Sequence, residues 1–354
     1  YGGMEDVVED AGGEKWLSGV DVRRSRVGFE AFALRDFFIR IRYGWTGLDK
    51  PEFQDLFVEW SGLTHIKGEW WPVIRVGQVK EAMTIDWMNN ALRTTFAERA
   101  MFSTSIVPNR NPGVRMHGTG FGRRLSYQVG GYLVDAANLS ERADGEGESV
   151  TARITGLPWA PDKDDKRLLH VGVAASWRFD IERLRIASTP ESMRGHSIVD
   201  TGSHPADSAR VLVGELFYKN DRFSLCAEGG WRRVEWSSGQ RSDYWGAYAT
   251  ASYFLTPPGI PYSRTLGCFG RVRPECQLFC PARRGMGAWE VAARYSILDL
   301  DSGPHHGGKA WTVTLGLNWY ARDNIRLLLN YIYASVDDAY GVQGADGTMN
   351  TLLV

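Results

Sequence analysis

Apolar and polar residues alternate one by one along most of this 354-residue chain. In one such segment, Val171, Val173 and Trp177 share one face, and His170 and Ser176 share the opposite face. A repeat of two is typical of β-strands, whose successive side chains point to opposite sides of a sheet. No run of about 18 apolar residues, the length that a bilayer-spanning helix needs, occurs. The sequence therefore predicts an all-β fold and excludes a helical membrane protein.

The alternation predicts fifteen strands, which we expect to pair antiparallel because many of the connections between them are short. Each strand has one apolar face and one face of polar or small residues. The predicted strands cover residues 22–34, 36–45, 52–61, 73–80, 113–119, 124–135, 148–157, 168–180, 207–219, 221–236, 243–256, 287–300, 309–320, 324–336 and 348–354.

Two features favour a transmembrane antiparallel β-barrel over a water-soluble sheet. Aromatic residues such as Trp311 and Trp319 end the apolar faces, where they would meet the two bilayer interfaces. Tight turns also alternate with connections that look longer and are rich in Gly, Asp, Ser and Pro. We place these longer loops at residues 135–147, 237–243, 257–287 and 300–309. Because lipid cannot satisfy an open sheet edge, the sheet must close, and bacterial barrels close with even strand numbers.

We therefore expect about sixteen strands. Residues 1–21 are predicted to be an N-terminal loop segment after a first strand upstream of Tyr1, and residues 22–354 to form the barrel.

One stretch, at about residues 81–112, breaks the alternation. Its Trp, Phe and Met residues argue against disorder, and so long a connection in a compact barrel needs a function. We interpret it as an inward-folded constriction loop that narrows the pore.

Arginine dominates the basic residues, with 33 arginines against 8 lysines, while the formal net charge is −1. A charge near zero provides no field for nucleic acid, so no nucleic-acid partner is expected. Arginine stays charged at any working pH and presents a planar fork of donors that suits oxyanions. A G+C-rich genome would raise the arginine count equally. Single arginines could also brace the barrel through acidic partners such as Glu30, Glu98 and Glu290.

Four cysteines occur, and three of them, Cys268, Cys276 and Cys280, share one Pro-containing stretch, while Cys226 stands apart. A loop disulfide among the three could form in an oxidising compartment. Histidines are missing beside the weak Cys-x3-Cys pattern, which makes a metal site the less favoured interpretation. We expect neither metal nor other cofactor.

Several stretches, in this order and spacing, resemble the phosphate-selective porin O and P family of Gram-negative outer membranes. They are residues 23–30 (RRSRVGFE), 74–81 (IRVGQVKE), 96–100 (FAERA), 287–290 (GAWE), 293–296 (ARYS) and 314–320 (TLGLNWY). The resemblance implies a homotrimer of sixteen-stranded barrels, each with an inward third loop and a ladder of arginines for small anions. It also implies contact with outer-membrane lipid and lipopolysaccharide.

The resemblance also implies a set of anion-binding or pore-lining residues. They are Arg23, Arg24, Arg26, Lys80, Arg93, Arg99, Arg183, Arg185, Arg194 and the acidic Asp55, which follows Gln54. Phosphate-selective members place lysines and serines at the tip of the constriction loop, where this chain has Trp87, Asn90 and Leu92. The arginines predict a preference for anions, and the family predicts phosphate or similar oxyanions as the substrate class. The different loop tip means that the residues do not repeat the phosphate-selective pattern in full.

The predicted function is passive transport of small solutes, with fixed charges that concentrate anions and exclude cations. The alternative is a barrel that acts as an anchor or assembly component with a narrow or plugged lumen, which the Cys-bearing residues 257–287 would support. We find no Ser, His and carboxylate set that could be placed together on one face, so we do not expect an enzyme.

Overall fold

A computed structural model describes residues 22–46, 50–134, 147–192, 197–279, 285–337 and 347–354. The elements are β1 (Arg24–Ala33), β2 (Phe37–Thr46), β3 (Lys50–Trp60), α1 (Gly62–Lys67), β4 (Val73–Lys80), α2 (Ile85–Met88), α3 (Met101–Ser105), β5 (Arg110–Gly120), β6 (Leu125–Val134), β7 (Gly147–Trp159), β8 (Arg167–Phe179), β9 (Arg183–Leu184), β10 (Ala187–Ser188), β11 (Val199–Asp200), β12 (His204–Asn220), β13 (Phe223–Trp236), β14 (Arg241–Phe254), β15 (Tyr262–Ser263), β16 (Cys268–Phe269), β17 (Ala288–Ser302), β18 (His305–Arg322), β19 (Ile325–Asp337) and β20 (Gly347–Leu353).

One antiparallel sheet contains all the long strands. Its order follows the chain, from β1 to β8 and then through β12, β13, β14, β17, β18 and β19 to β20. The short strand β9 pairs with β12 and is the sixteenth strand of this sheet. The all-β prediction and the fifteen predicted strands are thus confirmed, and the sheet has about the expected number of strands, whereas the strand expected upstream of Tyr1 stays a prediction. The predicted N-terminal loop segment, residues 1–21, lies outside the described residues.

The two faces of the strands are sorted in the opposite sense to a soluble protein. On β8, Val171, Val173 and Trp177 are 40%, 46% and 53% exposed, whereas His170 and Ser176 are buried. Apolar residues on the outside and polar residues on the inside are the arrangement of a barrel whose outer solvent is lipid. The alternation therefore predicted both the strands and which face lies inside.

Aromatic side chains mark two levels on the outer face. Trp311 and Trp319 lie eight residues apart on β18, about 26 Å along the strand. That span is close to the apolar band of about 25 Å that transmembrane barrels present. Trp319 stacks on Trp289 at one level, with a distance of 5.6 Å between ring centroids, and Trp311 contacts Tyr333 at the other. The predicted aromatic ends of the apolar faces are therefore present.

Connections leave the sheet alternately from two ends. We name the end that carries the connections after β2, β4, β6, β8, β13, β17 and β19 the loop end, and the opposite end the turn end. At the loop end, two predicted long loops are wrong: β13 and β14 are joined by residues 237–240, and β17 and β18 by residues 303–304. Their Gly- and Asp-rich flanks continue the ladder, as the Asp301 to His306 pair shows. The connection after β14, residues 255–287, is long but belongs to the turn end.

The constriction loop, residues 81–109, packs against strands all along the sheet path. The Ala97 amide donates to Asn330 on β19 over 2.9 Å, and the Asp86 amide donates to Glu228 on β13 over 2.9 Å. Glu98 binds Arg23, next to β1. A single loop can reach strands near both ends of the path only if the sheet curls around it. The inward-folded constriction loop is thus a feature of the fold.

No helix in the described ranges is both long enough and apolar enough to span a membrane.

Candidate anion site

A polar cavity of about 390 Å³ lies between the wall formed by β1 to β5, the constriction loop and the turn-end segment, which we define as residues 255–279. Eight arginines and one lysine line it, against two carboxylates. The charged residues of this arginine cavity are Arg26, Glu30, Arg40, Arg42, Asp55, Arg75, Lys80, Arg93, Arg110, Arg115 and Arg271.

The strand repeat explains why several arginines meet here. Arg40 and Arg42 are two residues apart on β2 and share its inner face, while Arg26 comes from β1 beside them. Gly44 lies opposite Arg26 in the ladder and leaves room for the long side chain. A Cβ atom at Gly44 would lie 3.1 Å from the Arg26 Cγ, so a larger residue would crowd it.

The two carboxylates of the cavity bind arginines of the wall. Asp55 accepts one hydrogen bond from Arg42 and one from Arg110, both over 3.1 Å. Glu30 accepts from Arg40 over 2.9 Å and from Arg42 over 3.4 Å. These pairs hold three guanidinium groups in place, because charge-assisted hydrogen bonds fix direction as well as distance.

A surplus of positive charge remains in the arginine cavity. Within the described residues, no carboxylate lies within ion-pair distance of Arg26, Arg93, Arg115 or Arg271. The Nε atoms of Arg26 and Arg115 are buried and lack a hydrogen-bond partner in the same part of the chain. Buried donors are normally satisfied, so these two unpaired N–H groups add to the positive potential of the cavity. The arrangement can therefore attract and briefly hold small anions.

Two predicted site residues hold the constriction loop in place. Lys80 Nζ donates to the carbonyl oxygens of Trp87 over 2.6 Å and Asn89 over 2.7 Å. Arg99 Nε donates to the Asp86 carbonyl over 3.0 Å, and its Nη2 donates to Asn89 over 2.9 Å. Burial lowers the pKa of the Arg99 guanidinium, a group that nevertheless keeps its charge in proteins.

The turn-end segment forms another side of the cavity. It enters the barrel from the end opposite to the constriction loop, and the Phe269 amide donates to Asn89 Oδ1 over 2.7 Å. Arg153 on β7 donates to the carbonyl oxygens of Leu266 over 2.8 Å and Gly267 over 2.7 Å. The predicted long loop at 257–287 is therefore present, but its expected place among the other long loops is wrong: it leaves from the turn end and folds inward, where Arg153 pairs with its backbone carbonyls.

The cysteines of the described residues form no disulfide. Cys226, Cys268 and Cys276 are free thiols, and Cys280 lies outside the described residues. Burial raises the pKa of the Cys268 thiol, so it is neutral at pH 7. Within the described ranges no group of three or more His, Cys, Asp or Glu side chains could hold a metal ion.

On the opposite side of the lumen, side chains fill the space and the buried arginines form ion pairs with glutamates. Arg178 binds Glu81 over 2.9 Å, and Arg153 binds Glu215 over 2.8 Å. A third pair joins Arg294 to Glu191. We call these three pairs the packed side. Apolar residues of both inward segments, including Met101, Phe102 and Phe269, belong to one continuous core with the inner wall.

The structure brings together four of the predicted residues, since Arg26, Lys80, Arg93 and Asp55 line the arginine cavity. The others lie elsewhere, and their partners are as follows: Arg23 and Arg24 pair with Glu98, Arg99 binds loop carbonyls, Arg183 donates to Ser203, and Arg185 pairs with Asp200. Arg194 lies outside the described residues. Of the predicted bracing partners, Glu30 and Glu98 bind arginines, whereas Glu290 accepts hydrogen bonds from Asn318 and Tyr320.

Sequence reasoning missed six cavity arginines: Arg40, Arg42, Arg75, Arg110, Arg115 and Arg271. For Arg40 and Arg42 the signal was available, because both occupy the polar face of a strand whose other face is apolar. Arg110 was assigned to the constriction loop, but β5 begins at that residue. Nothing local in the sequence indicates Arg271, since it reaches the cavity only because its segment folds inward.

The sequence model of the phosphate-selective porin O and P family matches residues 2–351. The chain belongs to this family. Porin O of Pseudomonas aeruginosa is 25% identical over 290 residues, which cover 70% of this chain and 64% of that protein. An uncharacterized protein of Caulobacter vibrioides is 27% identical over 279 residues, covering 76% and 54% of the two chains. The chain thus spans between about half and two thirds of these relatives' lengths.

Solved structures show the same fold at low identity. An anion-selective porin from Comamonas acidovorans matches with a TM-score of 0.54 at 10% identity, covering 93% of this chain and 89% of that one. A loop L8 deletion mutant of OmpT, an outer membrane protein of Vibrio cholerae, matches with a TM-score of 0.55 at 8% identity, covering 94% and 90%. The family and these barrels locate the chain in the outer membrane of a Gram-negative bacterium.

Proposed function

We propose that this barrel is a passive porin that prefers small anions, and that the arginine cavity provides the preference. The observation that carries the proposal is a single cavity lined by nine cationic side chains and only two carboxylates. Fixed charges in a confined space raise the local concentration of counter-ions and repel ions of the same sign. Arg26, Arg93, Arg115 and Arg271 supply the surplus charge because no carboxylate of the described residues neutralises them.

Several separate cationic groups suit transport better than one deep site. An ion must bind well enough to enter and weakly enough to leave, and neighbouring sites let it pass from one to the next. Oxyanions such as phosphate are the substrate class that guanidinium forks fit best. The family's description and the anion-selective porin of similar fold support the same class. We also propose the homotrimer that the family resemblance implies.

Reversal potentials in planar bilayers test the proposal. With a salt gradient at neutral pH, the wild-type channel should favour chloride over potassium, and phosphate should compete with chloride current. The double variant Arg26→Gln/Arg93→Gln should lower the anion-to-cation permeability ratio about tenfold, or about 1.4 kcal/mol. Arg183→Gln is the matched control, because Arg183 is exposed, binds Ser203 and lies outside the cavity lining.

A wild-type channel that favours cations would contradict the anion preference but leave the porin function intact. Equal reversal potentials for the double variant and the wild type would contradict the role of the cavity.

The alternative of an anchor or assembly component with a plugged lumen also has a specific observation in its favour. Two segments from opposite ends meet inside the barrel at Asn89 and Phe269, and their apolar residues pack on the inner wall. Single-channel recording separates the two functions. A folded, membrane-inserted protein that never conducts would favour the plugged barrel.

A further inference from the structure

Two neighbouring arginines face outward on the lipid side of the barrel. Arg210 on β12 and Arg233 on β13 are direct ladder partners, and both are exposed. An outward arginine costs about 2–4 kcal/mol at the centre of a bilayer but about 0–1 kcal/mol near the interface. The position of the two arginines along their strands therefore decides whether they destabilise the barrel in the membrane or can bind a ligand at its surface.

Both arginines lie at the level of the loop-end aromatic residues. Arg210 pairs in the ladder with Trp177, and its guanidinium lies 5.5 Å from the centroid of that ring. Tyr218, at the opposite aromatic level, is eight residues further along β12, the same separation as between the two tryptophans of β18. Arg210 and Arg233 are thus placed where lipid headgroups begin.

Arg210, Arg233 and Asp243 are successive partners across three strands, and we call them the arginine row. The charge of this row is not balanced. Arg233 pairs with Asp243 over 2.8 Å, and both side chains are about half exposed. Arg210 has no carboxylate within ion-pair distance among the described residues, and its contact is the Trp177 ring. The row therefore presents two guanidinium groups and one carboxylate to the membrane surface, which favours an anionic partner.

Below the arginines, small residues open a furrow toward the middle of the bilayer. The furrow has a volume of about 670 Å³ and is lined by Ala152, Ala175 and Leu212, between Trp177 and Trp231. One row deeper, Gly214 pairs with Gly229, so no side chain fills the floor there. A Cβ atom at Gly214 would meet nothing within 4 Å.

We propose that this face binds the phosphorylated headgroup of lipopolysaccharide, with a phosphate on Arg210 and Arg233 and an acyl chain in the furrow below. Charge-assisted hydrogen bonds from guanidinium forks fit phosphate oxygens, and an exposed apolar furrow fits an alkyl chain. Three of the five connections longer than ten residues, 81–109, 135–146 and 180–203, leave from the loop end, as long loops do on the outer side of outer-membrane barrels, so we place the site in the leaflet that contains lipopolysaccharide. This lipid site is independent of the transport function.

Native mass spectrometry of the full folded chain, titrated with purified lipopolysaccharide, tests the site. The double variant Arg210→Gln/Arg233→Gln should bind about tenfold more weakly, since it loses charge-assisted hydrogen bonds. Arg222→Gln is the matched control: Arg222 also lies 5.5 Å from an aromatic centroid, that of Tyr253, but at the turn end. It should bind like the wild type.

A second variant tests the furrow separately. Gly214→Leu should weaken binding of intact lipopolysaccharide and leave binding of its deacylated, phosphorylated core unchanged. Dephosphorylated lipopolysaccharide should bind the wild type and the double variant equally weakly. Three outcomes would overturn the proposal: unchanged affinity in the double variant, an equal loss in Arg222→Gln, or dissociation of an oligomer in the double variant, which would make this face a subunit interface.

Discussion

The two sides of the lumen use the same residue type in opposite ways. On the packed side, Arg153, Arg178 and Arg294 each face a buried glutamate and close the space between wall and inward segments. In the arginine cavity, eight arginines line the space with two carboxylates, which bind three of them; Arg75 pairs with Glu59 outside the lining, and four have no carboxylate partner among the described residues. The difference shows that the partner, and not the arginine, decides the role. Where an inward segment or a neighbouring strand supplies a carboxylate, the arginine braces the barrel. Where none does, our proposal is that its charge acts on a solute.

Burial makes this difference energetic as well as geometric. The side chains of Arg153 and Glu215 are 0% and 1% exposed, so neither charge has water as a substitute partner. Removing one member of such a pair leaves an uncompensated buried charge, which costs about 3–5 kcal/mol. The surplus arginines of the cavity have no such partner, so their removal should affect ions more than stability.

The largest expected effect is on the packed side. Arg153→Met should lower the free energy of unfolding by about 3–5 kcal/mol, because Glu215 loses its guanidinium partner and keeps only His170 Nε2, 3.4 Å away, and the carbonyls of Leu266 and Gly267 lose their donor. Urea unfolding of the barrel in lipid vesicles measures the change.

Two further variants sharpen that result. Arg153→Met/Glu215→Leu should recover most of the loss, since no charge then remains buried. Arg26→Met, in the arginine cavity, should change the unfolding free energy by less than about 1 kcal/mol. If Arg26→Met and Arg153→Met destabilise equally, the distinction between the two sides fails.

The sequence predicted the fold because strand alternation is a local property. Val171 and Ser176 differ in polarity, and polarity alone assigns each to the outside or inside of the barrel. The site was predicted less well because it depends on which distant residues meet in the lumen. Arg185 is of the residue type expected at an anion site, but it binds Asp200, which lies in the same connection between β8 and β12. Arg271 lines the cavity because its segment folds inward, and nothing in the neighbouring sequence indicates that path.

An intermediate effect is expected at Lys80, which lies in the arginine cavity yet braces the constriction loop. Lys80→Met leaves the Trp87 carbonyl without its donor and leaves the Asn89 carbonyl with Arg99 alone. Each unpaired buried group costs about 1–3 kcal/mol, which should loosen the loop without unfolding the barrel. Single-channel recordings should then show more frequent closures and current fluctuations.

Lys166→Met is the control, because Lys166 is exposed and pairs with Asp164 outside the lumen. Steady currents in Lys80→Met, equal to those of the control, would show that the other contacts of the loop, those of Arg99 included, hold it without Lys80.

The smallest expected effect separates charge from orientation within the cavity. Asp55→Asn removes a negative charge, frees Arg110 from its ion pair and leaves Arg42 with Glu30 alone. If the surplus charge sets the preference, the anion-to-cation permeability ratio should rise about threefold, or about 0.7 kcal/mol. Asp243→Asn, which removes an outward carboxylate, should leave the ratio unchanged. A lower ratio in Asp55→Asn would mean that the carboxylate serves chiefly to aim its two arginines, so that the cavity would resemble the packed side more closely than its charge suggests.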